Sequence, residues 1–88
     1  MHKENDARLY LPYLRQWRQY RGMSLKMLGE ESGVSYVTIS LLENGKQRAN
    51  FLTIERLSRG LGITKEQLLH TEPASSYPAE RAGQNAAS

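Results

Sequence analysis

The stretch that decides the fold is SLKMLGEESGVSYVTISLLE, residues 24–43. Ser24 and Ser35 are favourable N-cap residues, and each is followed by apolar side chains at helical spacing. Gly33 lies between the two helical segments, where a glycine permits the positive φ that lets the chain leave a helix steeply. Val34 comes next and can fill the corner between the helices. The stretch therefore predicts two helices that cross over a turn of about three residues.

Helical patterns continue on both sides of this stretch. Leu14 and Trp17 recur at helical spacing before it, and Asn50 and Thr64 are N-cap candidates after it. The β-branched residues are scattered and do not alternate with polar ones, so no strand is predicted. We predict an all-α fold of five helices, at about residues 11–21, 25–32, 36–44, 51–60 and 65–70.

Length and composition set the expected boundaries. A chain of 88 residues has room for one domain. Residues 1–9 are mostly polar and are predicted to form a flexible arm, and residues 10–71 are predicted to form the domain. Residues 72–88 are rich in alanine, serine, glycine and proline. They are predicted to form a flexible C-terminal tail, because so little apolar surface cannot offset the entropy lost on ordering.

The composition excludes several kinds of chemistry. Without cysteine the chain has no disulfide, thiolate zinc site or cysteine nucleophile. His2 and His70 are far apart and have no neighbouring carboxylate cluster, so neither a metal nor another cofactor is expected. No base is placed to activate a serine hydroxyl, so no enzyme is expected. No apolar run approaches the ~18–20 residues of a membrane span, so we expect a soluble, cytoplasmic protein with no membrane partner.

Positive charge is concentrated in the predicted domain. The whole chain carries a net charge of +3, and between residues 8 and 59 there are nine basic and four acidic side chains. A folded unit with this balance suits a polyanion partner such as double-stranded DNA.

The order of these residues is also that of a known family. The pattern S-x-x-x-L-x-x-x-x-G-V-S-x-x-T-I-S-x-x-E-N-G-K, followed by T-I-x-x-L-x-x-x-L-G-I, resembles the XRE/Cro-type helix-turn-helix family of phage repressors and bacterial regulators. The resemblance covers about residues 14–69. It implies a compact, lambda-repressor-like domain whose third helix, about residues 35–44, enters the major groove of DNA while the second crosses the backbone.

The resemblance implies roles for individual residues. Arg18 on the first helix is expected to form an architectural ion pair with Glu43 at the end of the third helix. The positions expected to read bases are Ser35, Tyr36, Val37, Ser40 and Leu41. The positions expected to contact phosphates are Thr38, Asn44, Lys46 and Arg48.

Two features depart from the family pattern. Family members often begin the second helix with a glutamine that binds a phosphate, and Leu25 stands there instead. Tyr36, Val37 and Leu41 cannot make the bidentate contacts by which glutamine or arginine reads adenine or guanine. Thymine methyl groups, the Tyr36 hydroxyl and DNA shape would then supply the specificity.

These observations predict a sequence-specific, nucleoid-associated transcriptional regulator, and more specifically a repressor. It would act as a homodimer on half-sites ~34 Å apart, with the two-fold contact near Ile63 and Leu69 by analogy with the family. The alternative is a protein-interaction module on the same fold, such as an antitoxin or an adaptor. The apolar residues that favour this protein partner are Leu25, Met27, Tyr36, Val37 and Leu41. A nonspecific nucleoid protein would fit the charge but would make little use of a defined recognition helix.

Overall fold

Five helices make up the part of the chain that the computed structural model describes, residues 7–73. They are α1 (Leu14–Tyr20), α2 (Leu25–Ser32), α3 (Tyr36–Glu43), α4 (Phe51–Leu61) and α5 (Lys65–His70). Within these residues the only β pairing is an isolated antiparallel bridge between Leu9 and Ala49. The predicted all-α, five-helix fold is confirmed. Of the arm predicted at residues 1–9 and the tail predicted at residues 72–88, residues 1–6 and 74–88 lie outside the described residues.

The helix ends differ from the predictions by up to three residues. α1 begins at Leu14 and not at residue 11, because a residue that precedes a proline, as Leu11 precedes Pro12, disfavours the helical conformation. α3 ends at Glu43, and Asn44 is its C-cap. α4 continues through Leu61, because Gly62, and not Gly60, adopts the positive φ of 72° that ends the helix.

Side-chain caps fix where four of the helices begin. The Ser24 hydroxyl accepts a hydrogen bond from the backbone nitrogen of Met27, at 3.0 Å, and so begins α2. Ser35 caps α3 and Asn50 caps α4 in the same way. The Thr64 side chain forms a reciprocal capping box with Gln67 at the start of α5. Short-range hydrogen bonds thus set the register of the helix pair that contains the decisive stretch.

Leu9, which the sequence assigns to the predicted arm of residues 1–9, pairs with the domain. The backbone nitrogen of Leu9 donates to the carbonyl oxygen of Ala49 at 2.9 Å, and the nitrogen of Ala49 donates to the carbonyl oxygen of Leu9 at 2.8 Å. Leu11, two residues further on, is buried in the core. Leu9 is therefore joined to the loop before α4 by paired backbone groups, next to a buried anchor.

The core lies between α2 and α4, and α1, α3 and α5 pack around it. Its fully buried side chains are Leu14, Leu28, Ile39, Leu42, Leu57 and Leu68. Trp17 is also buried, and its indole nitrogen donates to the carbonyl oxygen of Thr71 at 2.7 Å and to that of Gln67 at 3.2 Å. Trp17 therefore connects α1 to the end of α5 through these hydrogen bonds. Its ring is buried, although a tryptophan with a polar N–H is often only half-buried.

Gly60 lets α4 lie directly against the end of α2. A Cβ atom at this position would come within 2.9 Å of the Ser32 Cβ and 3.0 Å of the Ser32 Cα. We expect Gly60→Ala to lower the free energy of unfolding by about 1–2 kcal/mol, because the strain of overpacking against backbone outweighs the gain in helix propensity. Urea denaturation measures this, with Arg56→Ala on the same helix as an exposed control. Equal stabilities of the two variants would contradict the tight packing of α4 on α2.

Candidate nucleic-acid interface

The turn between α2 and α3 brings the two helices into close contact. Gly33 has φ 78° and ψ 12°, and its nitrogen donates to the carbonyl oxygen of Gly29 at 2.9 Å. Val34 is buried in the corner, and its nitrogen donates to the Ser32 hydroxyl. A Cβ on Gly29 would lie 3.1 Å from the carbonyl oxygen of Val34 and 3.4 Å from the nitrogen of Tyr36. The direction in which α3 leaves α2 is therefore fixed by backbone contacts.

α3 has apolar residues on both of its faces. Ile39 and Leu42 are buried against the core, as the sequence pattern predicts. On the outer face, Tyr36 is 50% exposed, Val37 54% and Leu41 39%. Large apolar side chains grouped on one exposed surface mark an interaction site more often than isolated ones do. The structure thus places these three predicted base-reading residues on one accessible surface, and their role in reading bases stays a prediction.

The hydroxyl residues of α3 differ in their surroundings. The Ser35 hydroxyl accepts from the backbone nitrogen of Val37 at 3.1 Å and is the N-cap of the helix. Thr38 and Ser40 lie within α3, and both are partly buried. Ser35 is therefore a structural residue whatever it contacts in a partner, and Ser40 presents less surface than the apolar residues beside it.

A cluster of four side chains joins α1 to the C-terminal end of α3. We call Arg15, Arg18, Glu43 and Asn44 the Glu43 cluster. Arg18 donates from Nε to Glu43 Oε2 at 2.5 Å and from Nη2 to Oε1 at 3.0 Å, and from Nη1 to the carbonyl oxygen of Met23 at 2.9 Å. The Glu43 side chain is 2% exposed and that of Arg18 is 13% exposed. The expected architectural ion pair is thus present, bidentate and largely buried.

The Glu43 carboxylate raises the pKa of Arg18 above its ordinary value. The hydrogen bond from Arg18 to Glu43 is the largest cause, burial of the guanidinium acts in the opposite direction, and the charge of Glu43 adds to the increase. Because a raised pKa keeps the guanidinium charged, Arg18 does not lose its proton at any physiological pH.

Arg15 is a second cation on the same carboxylate, and sequence reasoning missed it. Its Nε donates to Glu43 Oε1 at 3.1 Å and its Nη2 donates to Asn44 Oδ1 at 2.6 Å. The available signal was its position three residues before Arg18, which puts both side chains on one face of α1.

Asn44 is held within the protein. Its Oδ1 accepts from Arg15, and its Nδ2 donates to the carbonyl oxygen of Ser40 at 2.9 Å. Its backbone nitrogen donates to the same Ser40 carbonyl at 3.1 Å. Oδ1 and one N–H of Nδ2 thus have partners among the described residues, and the second N–H of Nδ2 is the donor left for the predicted phosphate contact, which stays a prediction.

The loop after α3 carries the two other predicted phosphate-binding residues. Lys46 and Arg48 are both exposed, and Gly45 begins the loop with φ 70°. The Arg48 guanidinium carbon lies 5.4 Å from the centre of the Tyr10 ring, so a cation–π contact positions this side chain. Two cations therefore follow α3 directly and face solvent.

Arg21 is a further residue whose role only the structure reveals. Its Nε donates to the carbonyl oxygen of Leu61 at 2.8 Å, and its Nη2 donates to that of Gly62 at 3.2 Å. It satisfies carbonyl groups that the end of α4 leaves free. A positive charge at a helix C-terminus is favourable, so this arginine stabilises the fold and is less available to DNA.

Residues 7–73 offer little support for other kinds of site. No three His, Cys, Asp or Glu residues among them are grouped so that they could hold a metal ion. Across the same residues, every helix is too short or too polar to cross a bilayer.

Comparison with known proteins gives a family match. The profile of the helix-turn-helix family matches residues 14–68, which is more than half of the chain. The HTH-type transcriptional regulator SutR of Escherichia coli (strain K12) is 32% identical over 76 residues, which cover 86% of this chain and 42% of SutR. The chain thus spans less than half the length of this relative.

Two solved structures share the fold. The restriction-modification controller protein C.AhdI from Aeromonas hydrophila has a TM-score of 0.64 and 25% identity, over 67% of this chain and 89% of that one. The P22 c2 repressor, crystallised with a synthetic operator, has a TM-score of 0.63 and 27% identity, over 75% of this chain and 100% of that one.

Proposed function

Because the chain belongs to the helix-turn-helix family of DNA-binding transcriptional regulators, we propose that it binds a specific operator and represses transcription as a homodimer. The observation that carries the proposal is the exposed outer face of α3, formed by Tyr36, Val37 and Leu41, with Lys46 and Arg48 directly after it. The family consists of regulators, which confirms the prediction that this domain is not an enzyme.

In the proposed interface, one group of residues supplies affinity for any DNA and another supplies sequence specificity. Lys46 and Arg48 contact phosphates and supply a sequence-independent part of the binding free energy. Tyr36, Val37 and Leu41 reach base edges in the major groove, where a thymine methyl group is the natural partner of an apolar side chain. Repression follows from occupancy, since a bound domain can block a promoter without contacting the polymerase.

The relatives support an operator-binding role. The P22 c2 repressor was crystallised in complex with an operator, and C.AhdI is a restriction-modification controller protein. One helix-turn-helix reads only a few base pairs, so a specific site requires two copies on half-sites ~34 Å apart.

The two-fold contact is proposed on α5 and the turn before it, at Ile63 and Leu69. Both residues are partly buried against the core and keep some apolar surface outside it. Leu69 also lines a cleft of about 720 Å³ with Leu9 and the exposed ring of Phe51. A second copy that covers this cleft would leave α3 of each copy free to enter the groove.

The proposal is tested by replacing Val37 with alanine and asking whether the loss of operator affinity depends on a thymine methyl group. We expect Val37→Ala to weaken operator binding about fivefold, the equivalent of ~1 kcal/mol for lost methyl contacts. Folding should not change, because Val37 lies outside the core. The measurement is a double-mutant cycle in which each thymine of a selected operator is replaced in turn by uracil, which lacks the methyl group.

At the contacted position, uracil should weaken binding of the unsubstituted protein and remove the difference in affinity between that protein and the Val37→Ala variant. Equal affinity for every uracil-substituted operator would rule out readout of a thymine methyl by α3.

The second candidate function is a protein-interaction module. It is favoured by the apolar character of the same surface and by the exposed side chain of Met27 on α2. Leu25, which the sequence grouped with these residues, is instead partly buried against the core. If the surface docks a protein, Val37→Ala abolishes capture of that partner and leaves DNA affinity unchanged.

A further inference from the structure

The surroundings of Arg15 point to a DNA contact that lies outside the helix-turn-helix itself. We propose that Arg15 on α1 binds a DNA backbone phosphate near the C-terminal end of α3, an inference that rests on the proposed function. Glu43 and Asn44 position the Arg15 guanidinium for this contact.

Charge is the first reason. The Glu43 carboxylate already receives two hydrogen bonds from Arg18, whose side chain is largely buried with it. Arg15 adds a second guanidinium to the same carboxylate. Two guanidinium groups and one carboxylate carry a net charge of +1, so the Glu43 cluster keeps one positive charge without a compensating anion.

Exposure is the second reason. The Arg15 side chain is 46% exposed, whereas that of Glu43 is 2% exposed. Its hydrogen bonds to described residues use Nε and Nη2, so Nη1 has no partner within residues 7–73. A guanidinium has five N–H donors, so three are left for an external acceptor: both on Nη1 and the second one on Nη2. A half-exposed ion pair stabilises a fold little, so stability alone does not account for this arrangement.

Position is the third reason. Asn44 is the C-cap of α3, and Lys46 stands two residues after it on the loop that the proposed function assigns to the DNA backbone. Arg15 reaches Asn44 from α1, so its guanidinium lies at this same end of the helix. A planar guanidinium that is already oriented loses little freedom when it binds a phosphate.

Asn44 thereby acquires a role as a positioning residue. Its Nδ2 is bonded to the Ser40 carbonyl, which directs its Oδ1 to Arg15. The amide therefore affects DNA through Arg15, whose guanidinium it orients.

The experiment compares Arg15→Gln with Arg59→Gln on a random-sequence duplex, which requires no knowledge of the operator. Arg59 is a suitable control because its own ion pair, with Glu55, is exposed and lies on α4. We expect Arg15→Gln to flatten the slope of log K against log salt by about 0.9, the value for one phosphate contact, and Arg59→Gln to leave it unchanged. The urea midpoint of both variants should match that of the unsubstituted protein.

The Asn44 role has its own readout. Asn44→Ala should weaken DNA binding in the unsubstituted protein, and should have no further effect once Arg15 has been replaced by glutamine. A structural role of Asn44 alone would give the same loss in both backgrounds.

Two outcomes overturn the inference. The first is that Arg15→Gln leaves the salt slope unchanged, whereas the double substitution of Lys46 and Arg48 flattens it. In that case the proposed function still holds and only the role of Arg15 is wrong. The second is a urea midpoint that falls in Arg15→Gln as far as in Glu43→Ala, which makes Arg15 a structural residue. If the unsubstituted protein binds no duplex at any salt concentration, the proposed function itself fails.

Discussion

Replacing Glu43 with alanine should lower the free energy of unfolding by about 2–4 kcal/mol, because it leaves a partly buried cation without its anion. Arg18 is 13% exposed, and its Nε and Nη2 both donate to the lost carboxylate. The contact between α1 and the end of α3 depends on this pair. Urea denaturation monitored by circular dichroism measures the change.

The control for this prediction is Glu55→Ala. Glu55 also accepts a hydrogen bond from an arginine, Arg59, at 3.4 Å, but both side chains are exposed. An exposed pair contributes at most about 1 kcal/mol, so the control should lose little stability. Combining Arg18→Met with Glu43→Leu should restore part of the loss, since apolar side chains of similar size replace a buried pair well. Equal losses in Glu43→Ala and Glu55→Ala would show that burial of the pair adds nothing.

The double substitution of Lys46 and Arg48 with alanine should reduce affinity for specific and nonspecific DNA about equally. With two phosphate contacts removed, the slope of log K against log salt should fall by about 2. Between about 50 and 200 mM salt this makes the affinity of the unsubstituted protein fall roughly tenfold further than that of the double variant. Fluorescence anisotropy titrations at several salt concentrations measure the slope.

Arg56→Ala combined with Arg59→Ala is the matched control, because it removes the same amount of charge from α4. Its slope should stay that of the unsubstituted protein. The Arg48 substitution also removes a cation–π contact with Tyr10, so the urea midpoint of the double variant must be measured as well. A slope that the double substitution leaves unchanged would place the loop outside the DNA interface.

Much of the fold could be predicted from the sequence because the signals are local. Ser24, Ser35, Asn50 and Thr64 each cap the helix that follows, through hydrogen bonds to a backbone nitrogen two or three residues away. Helix-period spacing likewise places Ile39 and Leu42 inside and leaves Val37 outside. Interactions over so few residues hold in any tertiary context that keeps the helix.

The resemblance to a family supplied what local signals could not, namely that Arg18 and Glu43 belong together. It did so because the pair is a fixed feature of that pattern. It gave no indication of the second arginine on Glu43, nor that this arginine donates to the Asn44 amide.

The sequence by itself determined the five helices, their caps and the apolar outer face of α3. Only the tertiary structure decided that Arg15 reaches Asn44 across 29 positions, that Arg21 closes the end of α4 across 40, and that Trp17 reaches Thr71 across 54. A helix-period pattern specifies which face of a helix turns inward but not which polar atoms of another helix will lie opposite it. That choice depends on the crossing of whole helices, which here is set by close backbone contacts at Gly29 and Gly60.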